Sequence, residues 1–529
     1  VPSNHGLPPL RTLSVFVLIA TLAVIVHAEA IVFGDEGAAD SRSMTPSVLF
    51  IMSDDLRPEL GCSGSVAVTP HLDRLASTSL GGVRFTRAYC QQAVCNPSRS
   101  SMLTGRRPDT LCVWSNSVHF REVNPDVETI PSWFKRHGYE TRCVGKIFHN
   151  WHTAVHGDPG SWSAPEYLHY ANHGHDAPFA NLGLGERPPA ELPPNLAIHS
   201  HRNYGLVPLD ECRDLPDEAY FDGRVAAEAV RLIEEGLPDR PFFLAVGFWK
   251  PHAPFTAPKR YWDLYDRASL PALDSARPSG APAIAFHEST EVLGSPANRR
   301  PLTADQIAEM RHGYFAGVSF LDAQVGRLLD ALDRTGRLDE TIVVFSSDHG
   351  YHLGEHDLWA KTSVFELDTR VPLIVRLPPR AAAEGGFAPD ALVELIDIFP
   401  TLVEAAGLPA PAGLDGQSLL PLVRGERATG KPAAFSQHPR PAYFDRGPSS
   451  RPDAMGVSVR THRARYTEWR DWTTGRPIAC ELYDHDRDPL ETINVVDAAD
   501  LATVQQEATE LLRARFPEQP HPKGQVDRP

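Results

Sequence analysis

Cysteine is scarce in this 529-residue chain, with seven in all. None forms a CxxC pair, and no Cys/His spacing fits a zinc site. That sets aside zinc-ribbon and thioredoxin-like readings. A basic excess is also missing, since 51 Lys and Arg stand against 67 Asp and Glu, a formal net charge of −16. Such a field repels nucleic acid and anionic membrane surfaces, so neither is an expected partner. Any polyanionic ligand must be held by a local basic pocket. No Asn-x-Ser/Thr sequon occurs, because Asn96 is followed by Pro97. The expected location is therefore periplasmic or secreted in a bacterium, ahead of a glycosylated lysosomal one. Only one apolar run is long, Leu13–Val26; Arg11 precedes it and Ala28-Glu29-Ala30 follows. Charge, apolar stretch and A-x-A site predict a signal peptide over 1–30, and no stable membrane insertion once it is cleaved. Internal repeats and low-complexity stretches are absent.

What is present is ordinary globular material, 42% hydrophobic and 22% charged. The length allows ~2–4 domains. Residues 47–53, 139–145, 241–248, 341–347 and 371–377 read as buried strands, and 66–80, 98 onward, 128–138 and 303–335 as helices. In the last, Ile307, Met310, Tyr314, Val318, Leu321, Val325, Leu328 and Leu332 recur at three- and four-residue steps. Strands alternating with helices predict an α/β fold with a large, mostly parallel sheet flanked by helices. Past Arg427 short strand-like runs and a helix at 500–515 predict a smaller α+β domain on an antiparallel sheet. The expected boundaries are 44–426 and 427–529. Two stretches, 153–215 and 266–302, read as long ordered loops walling a pocket.

The polar clusters follow strand ends, the edge where open α/β sheets bind ligands. Asp54-Asp55 closes the strand at 47–53 and Asp348-His349 the one at 341–347. Taken singly, these are ordinary solvated loop charges. If they converge, their repulsion keeps some protonated unless a cation sits among them. An oxygen-rich set suits Ca²⁺ or Mg²⁺. Imidazole is unusual on such hard cations, so His349 reads either as a ligand or as a hydrogen-bonding neighbour. Arg99 lies one helical turn past Cys95 and can reach back to it, while a helix start there offers N–H groups to an anion. Lys146 and His149, in VGKIFH, offer a point charge and a base of unperturbed pKa ~6.5. His252, in FWKPHAPF, is the first choice of acid for a poor leaving group, with Lys361 in LWAKTSVFE second; both also read as anion binders. Lys250 reads as an outer or surface residue. Trp249 and Trp359 read as a stacking platform or as core.

The most specific stretch is CNPSRSSMLTG, 95–105. Together with SDDLRPELGC, VGKIFH, FFLAVGFWKPHAPF, SSDHGYHLGEHDLWAKTSVFELDTRVPLI, SQHPRP and ELYDHDRDP, in that order over about 47–495, it resembles the type I sulfatases of the alkaline phosphatase superfamily. Within them the chain is most similar to the iduronate-2-sulfatase branch. The resemblance implies a catalytic sulfatase domain at 44–426. It implies that a formylglycine-generating or anaerobic maturase enzyme converts Cys95 to Cα-formylglycine. One hydroxyl of the aldehyde hydrate then attacks sulfur, and the other collapses to release sulfate. Asp54, Asp55, Asp348, His349 and the modified Cys95 are the implied ligands of calcium, ahead of magnesium. Arg99, Lys146, His149, His252 and Lys361 are the implied residues that hold the diol and sulfate and move protons. The implied substrate is a sulfated saccharide, carrying 2-O-sulfate on a uronic acid. Tyr351 stands where that branch has tryptophan, and the two long loops depart from it. Two other readings remain: a phosphatase or phosphonate monoester hydrolase of the same superfamily, and an unmodified protein that only binds sulfated glycans. Sulfate monoesters carry one charge and phosphates nearly two, so pocket charge separates the first from a sulfatase.

Overall fold

SVLFIMSD is apolar along nearly its whole length, and a strand of that kind must be covered on both faces. In the computed structural model it does form such a strand, β1 (Ser47–Asp54), with Val48, Phe50 and Met52 in one core and Leu49 and Ile51 in the other. The structure describes residues 45–149, 157–167, 210–294, 301–379, 381, 390–426, 429–446 and 451–520. The expected signal peptide and most of the 153–215 loop lie outside the described residues.

After β1 come α1 (Pro70–Leu75), β2 (Gly82–Tyr89), α2 (Cys95–Thr104), α3 (Ile130–Arg136), β3 (Glu140–Gly145), α4 (Phe221–Arg231), β4 (Phe242–Pro251), α5 (Ala304–Arg334), β5 (Thr341–Ser347), β6 (Arg370–Arg376), β7 (Leu392–Glu394) and α6 (Ile398–Ala405). The seven strands form one sheet in the order β7-β2-β6-β5-β1-β4-β3. β1 runs parallel to β4 and β5, β3 parallel to β4, and β7 parallel to β2. Only β6 is reversed, antiparallel to both β2 and β5. α2, α3 and α6 contribute to one core, and α1, α4 and α5 to the other. The mixed, mostly parallel α/β sheet is therefore as expected, with one strand turned. α5 runs 31 residues and opens with a reciprocal cap between Thr303 and Gln306.

A second, antiparallel sheet follows, β8 (Ala434–Arg440), β9 (Ala454–Arg460), β10 (Ala464–Asp471) and β11 (Pro477–Asp484), in that order. α7 (Ala502–Arg515) packs on it around Met455, Val457, Leu482 and Leu512. Two expected elements differ in extent. The helix read over 66–80 is the short α1, and the helix read from Ser98 begins at Cys95. Proline is tolerated in a first helical turn, where its missing N–H has no partner to lose.

Candidate active site

β1, β3, β4 and β5 all run parallel, so their C-terminal ends share one edge of the sheet. Asp54 and Asp55 leave β1 there, Lys146 leaves β3, His252 follows β4, and Asp348 and His349 follow β5. Cys95 is the first residue of α2, and all ten residues of that helix are buried. Its Sγ lies 3.6 Å from Asp54 Oδ1 and 3.4 Å from His349 Nε2. Cys95, Asp54, Asp348 and His349 each offer a ligand atom, and these atoms all fall within 4.8 Å of one another.

The cations are fixed just as firmly. Arg99, fully buried, donates from Nε to Asp348 Oδ2 at 2.8 Å. Its other nitrogens donate to the carbonyls of Lys146 at 2.6 Å, Ile147 at 3.0 Å and Ser53 at 3.1 Å. Those bonds tie the ends of β1 and β3 to α2. Lys146 pairs with Asp54 and lies 4.6 Å above the Trp249 ring. It reaches inward because Gly145 and Gly247 face each other across β3 and β4. A Cβ on Gly247 would meet the Lys146 carbonyl oxygen at 1.9 Å, and Gly145 has a φ of +80°. Lys361 donates to Asp55 Oδ2 at 3.1 Å, Glu291 Oε1 at 2.7 Å and His252 Nε2 at 3.1 Å.

Burial and charge set the protonation of these groups. Burial works against the Asp54 carboxylate, but the charges of Lys146, Arg99 and Lys361 outweigh it and hold its pKa well below the usual range. Asp55 goes the other way. Burial, with Asp54, Glu291 and Asp348 nearby, overrides Lys361 and raises it well above that range. Burial and the Asp54 charge likewise push the Cys95 thiol far up. Burial opposes the Lys361 ammonium, yet Asp55 and Glu291 hold its pKa well above the ordinary lysine value. His349 places Nδ1 2.9 Å from the Gly350 carbonyl, which assigns the proton to Nδ1 and turns the Nε2 lone pair into the cluster. Asp55 Oδ1 is buried and accepts no hydrogen bond from the described residues.

The chain matches the sulfatase family over residues 46–408, and the N-sulphoglucosamine sulphohydrolase C-terminal family over 354–516. It belongs to the sulfatase family. Human iduronate 2-sulfatase is 36% identical over 90% of this chain and 95% of its own. Two solved structures share the fold, each with a TM-score of 0.68. One, in complex with its substrate D-glucosamine-2-N,6-O-disulfate, is 22% identical over 90% of this chain and 98% of its own. The other, the phosphonate monoester hydrolase of Agrobacterium radiobacter, is 23% identical over 89% and 96%. This sulfatase is thus a sulfuric ester hydrolase.

Nine of the ten residues singled out from the sulfatase sequence, Asp54, Asp55, Cys95, Arg99, Lys146, His252, Asp348, His349 and Lys361, are joined by the contacts above. His149 is buried three residues beyond Lys146. Trp249 and Trp359 are buried, and Trp359 joins the hydrophobic core. Tyr351 is also core, stacked 6.0 Å from Tyr314. Lys250 is not at the surface. It is buried and donates to the carbonyls of His252 at 3.3 Å and Pro254 at 2.6 Å, pinning the histidine loop from inside. Asp222 accepts from the backbone N–H groups of Trp249 and Lys250, both at 2.8 Å, and fixes the start of that loop. Asp222 and Glu291 were not singled out from the sequence, because neither has a local pattern that marks it.

Proposed function

We propose that this sulfatase removes the 2-O-sulfate of a uronic acid in a sulfated glycan, using a Cα-formylglycine made from Cys95 and a calcium ion. The observation that carries the reading is the setting of Cys95. Its thiol is buried against Asp54 and held protonated. A thiol in that state is a poor nucleophile. Yet it sits at the focus of Arg99, Lys146 and three aspartates, where an attacking group belongs. Oxidation by a formylglycine-generating or anaerobic maturase enzyme resolves the contradiction. The resulting hydrate supplies a nucleophilic hydroxyl and a second one for release.

The residues present fit a hard divalent cation. Asp54, Asp55 and Asp348 supply oxygens, the His349 lone pair faces them, and among the described residues Asp55 Oδ1 has no hydrogen-bond donor. The oxygen-rich set favours calcium ahead of magnesium. When bound, the ion supplies Lewis-acid polarisation of the hydrate and of a sulfate oxygen. Arg99 fixes Asp348 and draws the strand ends together. Lys146 holds a sulfate oxygen as a point charge, and His149 serves as base toward the hydrate. Lys361 and His252 bind the leaving side of the ester and pass it a proton. The 36% identity with human iduronate 2-sulfatase supports the uronate preference. The apolar run with its A-x-A site supports export to the periplasm or beyond. No described helix is long and apolar enough to cross a membrane.

Turnover of defined disaccharides sulfated at uronate 2-O, glucosamine 6-O or glucosamine N tests the reading. The 2-O-sulfated uronate is expected to be cleaved fastest, with activity lost on chelation and restored by calcium. Preference for glucosamine 6-O-sulfate would overturn the assigned substrate.

A further inference from the structure

Glu291 lies on the one-turn helix Thr290–Leu293, within the region read from the sequence as a pocket wall. Its Oε1 accepts from Lys361 Nζ at 2.7 Å and lies 3.8 Å from His252 Nε2. Its Oε2 accepts from the Tyr443 hydroxyl at 3.0 Å. Held from both sides, the carboxylate is fixed beside Lys361 and His252, the pair proposed above to bind the leaving side of the ester. It changes the formal charge of the site. With the three aspartates ionised around a divalent cation, Arg99, Lys146 and Lys361 balance Asp54, Asp55 and Asp348, three against three, and Glu291 adds one negative charge. A divalent cation then brings the sum to +1, the complement of a sulfate monoester. Without Glu291 it would be +2, the complement of a phosphate dianion.

We propose that Glu291 is a specificity-determining residue, tuning the pocket to singly charged sulfate monoesters and against doubly charged phosphate monoesters. This rests on the sulfatase reading of the site above. The fold alone does not make the choice, since it also carries a phosphonate monoester hydrolase. A nearby fixed charge acts about twice as strongly on a dianion as on a monoanion, and at short range inside a protein the difference is worth on the order of a tenfold change in affinity.

Glu291→Gln keeps the side chain's size and an oxygen that accepts from Lys361. Binding of methyl sulfate and methyl phosphate is measured by titration calorimetry near pH 8, where the phosphate is a dianion (second pKa ~6). The expected result is that E291Q tightens methyl phosphate on the order of tenfold relative to methyl sulfate, with aryl phosphate kcat/KM rising against aryl sulfate in parallel. Tyr443→Phe keeps the charge while removing one hydrogen bond, and is expected to leave the ratio unchanged. Equal shifts for both ligands in E291Q, or the same change of ratio in Y443F, would overturn the proposal. Wild-type hydrolysis of sulfate esters is measured alongside. Its absence would remove the sulfatase reading of the site, whereas normal hydrolysis with an unmoved ratio removes only the role of Glu291.

Discussion

His252 and Lys361 share one hydrogen bond, and which of them holds the proton decides what each can do. His252 Nδ1 faces the Ala253 carbonyl at 2.5 Å, so that nitrogen carries the hydrogen and Nε2 accepts from Lys361. Burial, then the Lys361 charge, push the imidazole well below its ordinary pKa, so it is neutral at pH 7. Lys361 is therefore the charged donor and His252 its acceptor, a division of roles that the sequence left open. Both variants, Lys361→Ala and His252→Ala, are expected to slow sugar sulfates more than activated aryl sulfates, by ~10²–10⁴-fold on the poor leaving groups. Equal losses on the two ester classes, read as kcat/KM, would mean that the residue binds sulfate without supplying a proton.

At the scale of elements, the site depends on how closely β3 approaches β4. Gly247→Ala places a Cβ against the Lys146 backbone, which is also gripped by Arg99. The expected cost is ~1–3 kcal/mol in stability and, because Lys146 moves off its place, about 10²-fold in kcat. Thermal unfolding and kcat check the two together; an unchanged kcat would show that Lys146 needs no such placement. β1, β4 and β5 were legible because they are unbroken apolar runs ending in charge. β2, GVRFTRAY, interrupts its apolar residues with two arginines, and β7 spans only three residues, so neither was singled out. The run that forms β6 looks the same in either direction, and composition does not encode its reversal. Asp54, Asp55, Lys146, His252, Asp348 and His349 were singled out because each lies at or just past the end of an apolar strand run, and Cys95 and Arg99 because they share the CNPSR stretch. Glu291 was not, since its partners Lys361 and Tyr443 lie 70 and 152 residues away.

Across the whole molecule, buried carboxylates tie the second sheet to the first. Glu366 accepts from Arg460 at 3.1 Å, Arg465 at 2.5 Å and Tyr89 at 3.0 Å, while Glu491 accepts from Arg465 at 2.6 Å. Burial opposes both charges, but the guanidiniums outweigh it, holding Glu366 well below its usual range and Glu491 down to about 2. A carboxylate with a depressed folded pKa adds stability that is complete above its unfolded value of ~4.3 and lost as pH falls toward the folded one. The melting temperature is expected to be level near neutrality and to fall steeply from about pH 4 toward pH 2. Glu366→Gln is expected to cost ~3–5 kcal/mol at pH 7, since it leaves buried arginines short of charge. A melting temperature unchanged down to pH 2 would show that these pairs do not hold the sheets together.

The central claim, that the residue at position 95 acts as an aldehyde hydrate, is open to one direct measurement: the mass of the peptide spanning Cys95 from fully active enzyme. Conversion of the thiol side chain to the aldehyde is predicted to lower that mass by about 18 Da. An unmodified cysteine in every molecule of a preparation that still hydrolyses sulfate esters at full rate would contradict it.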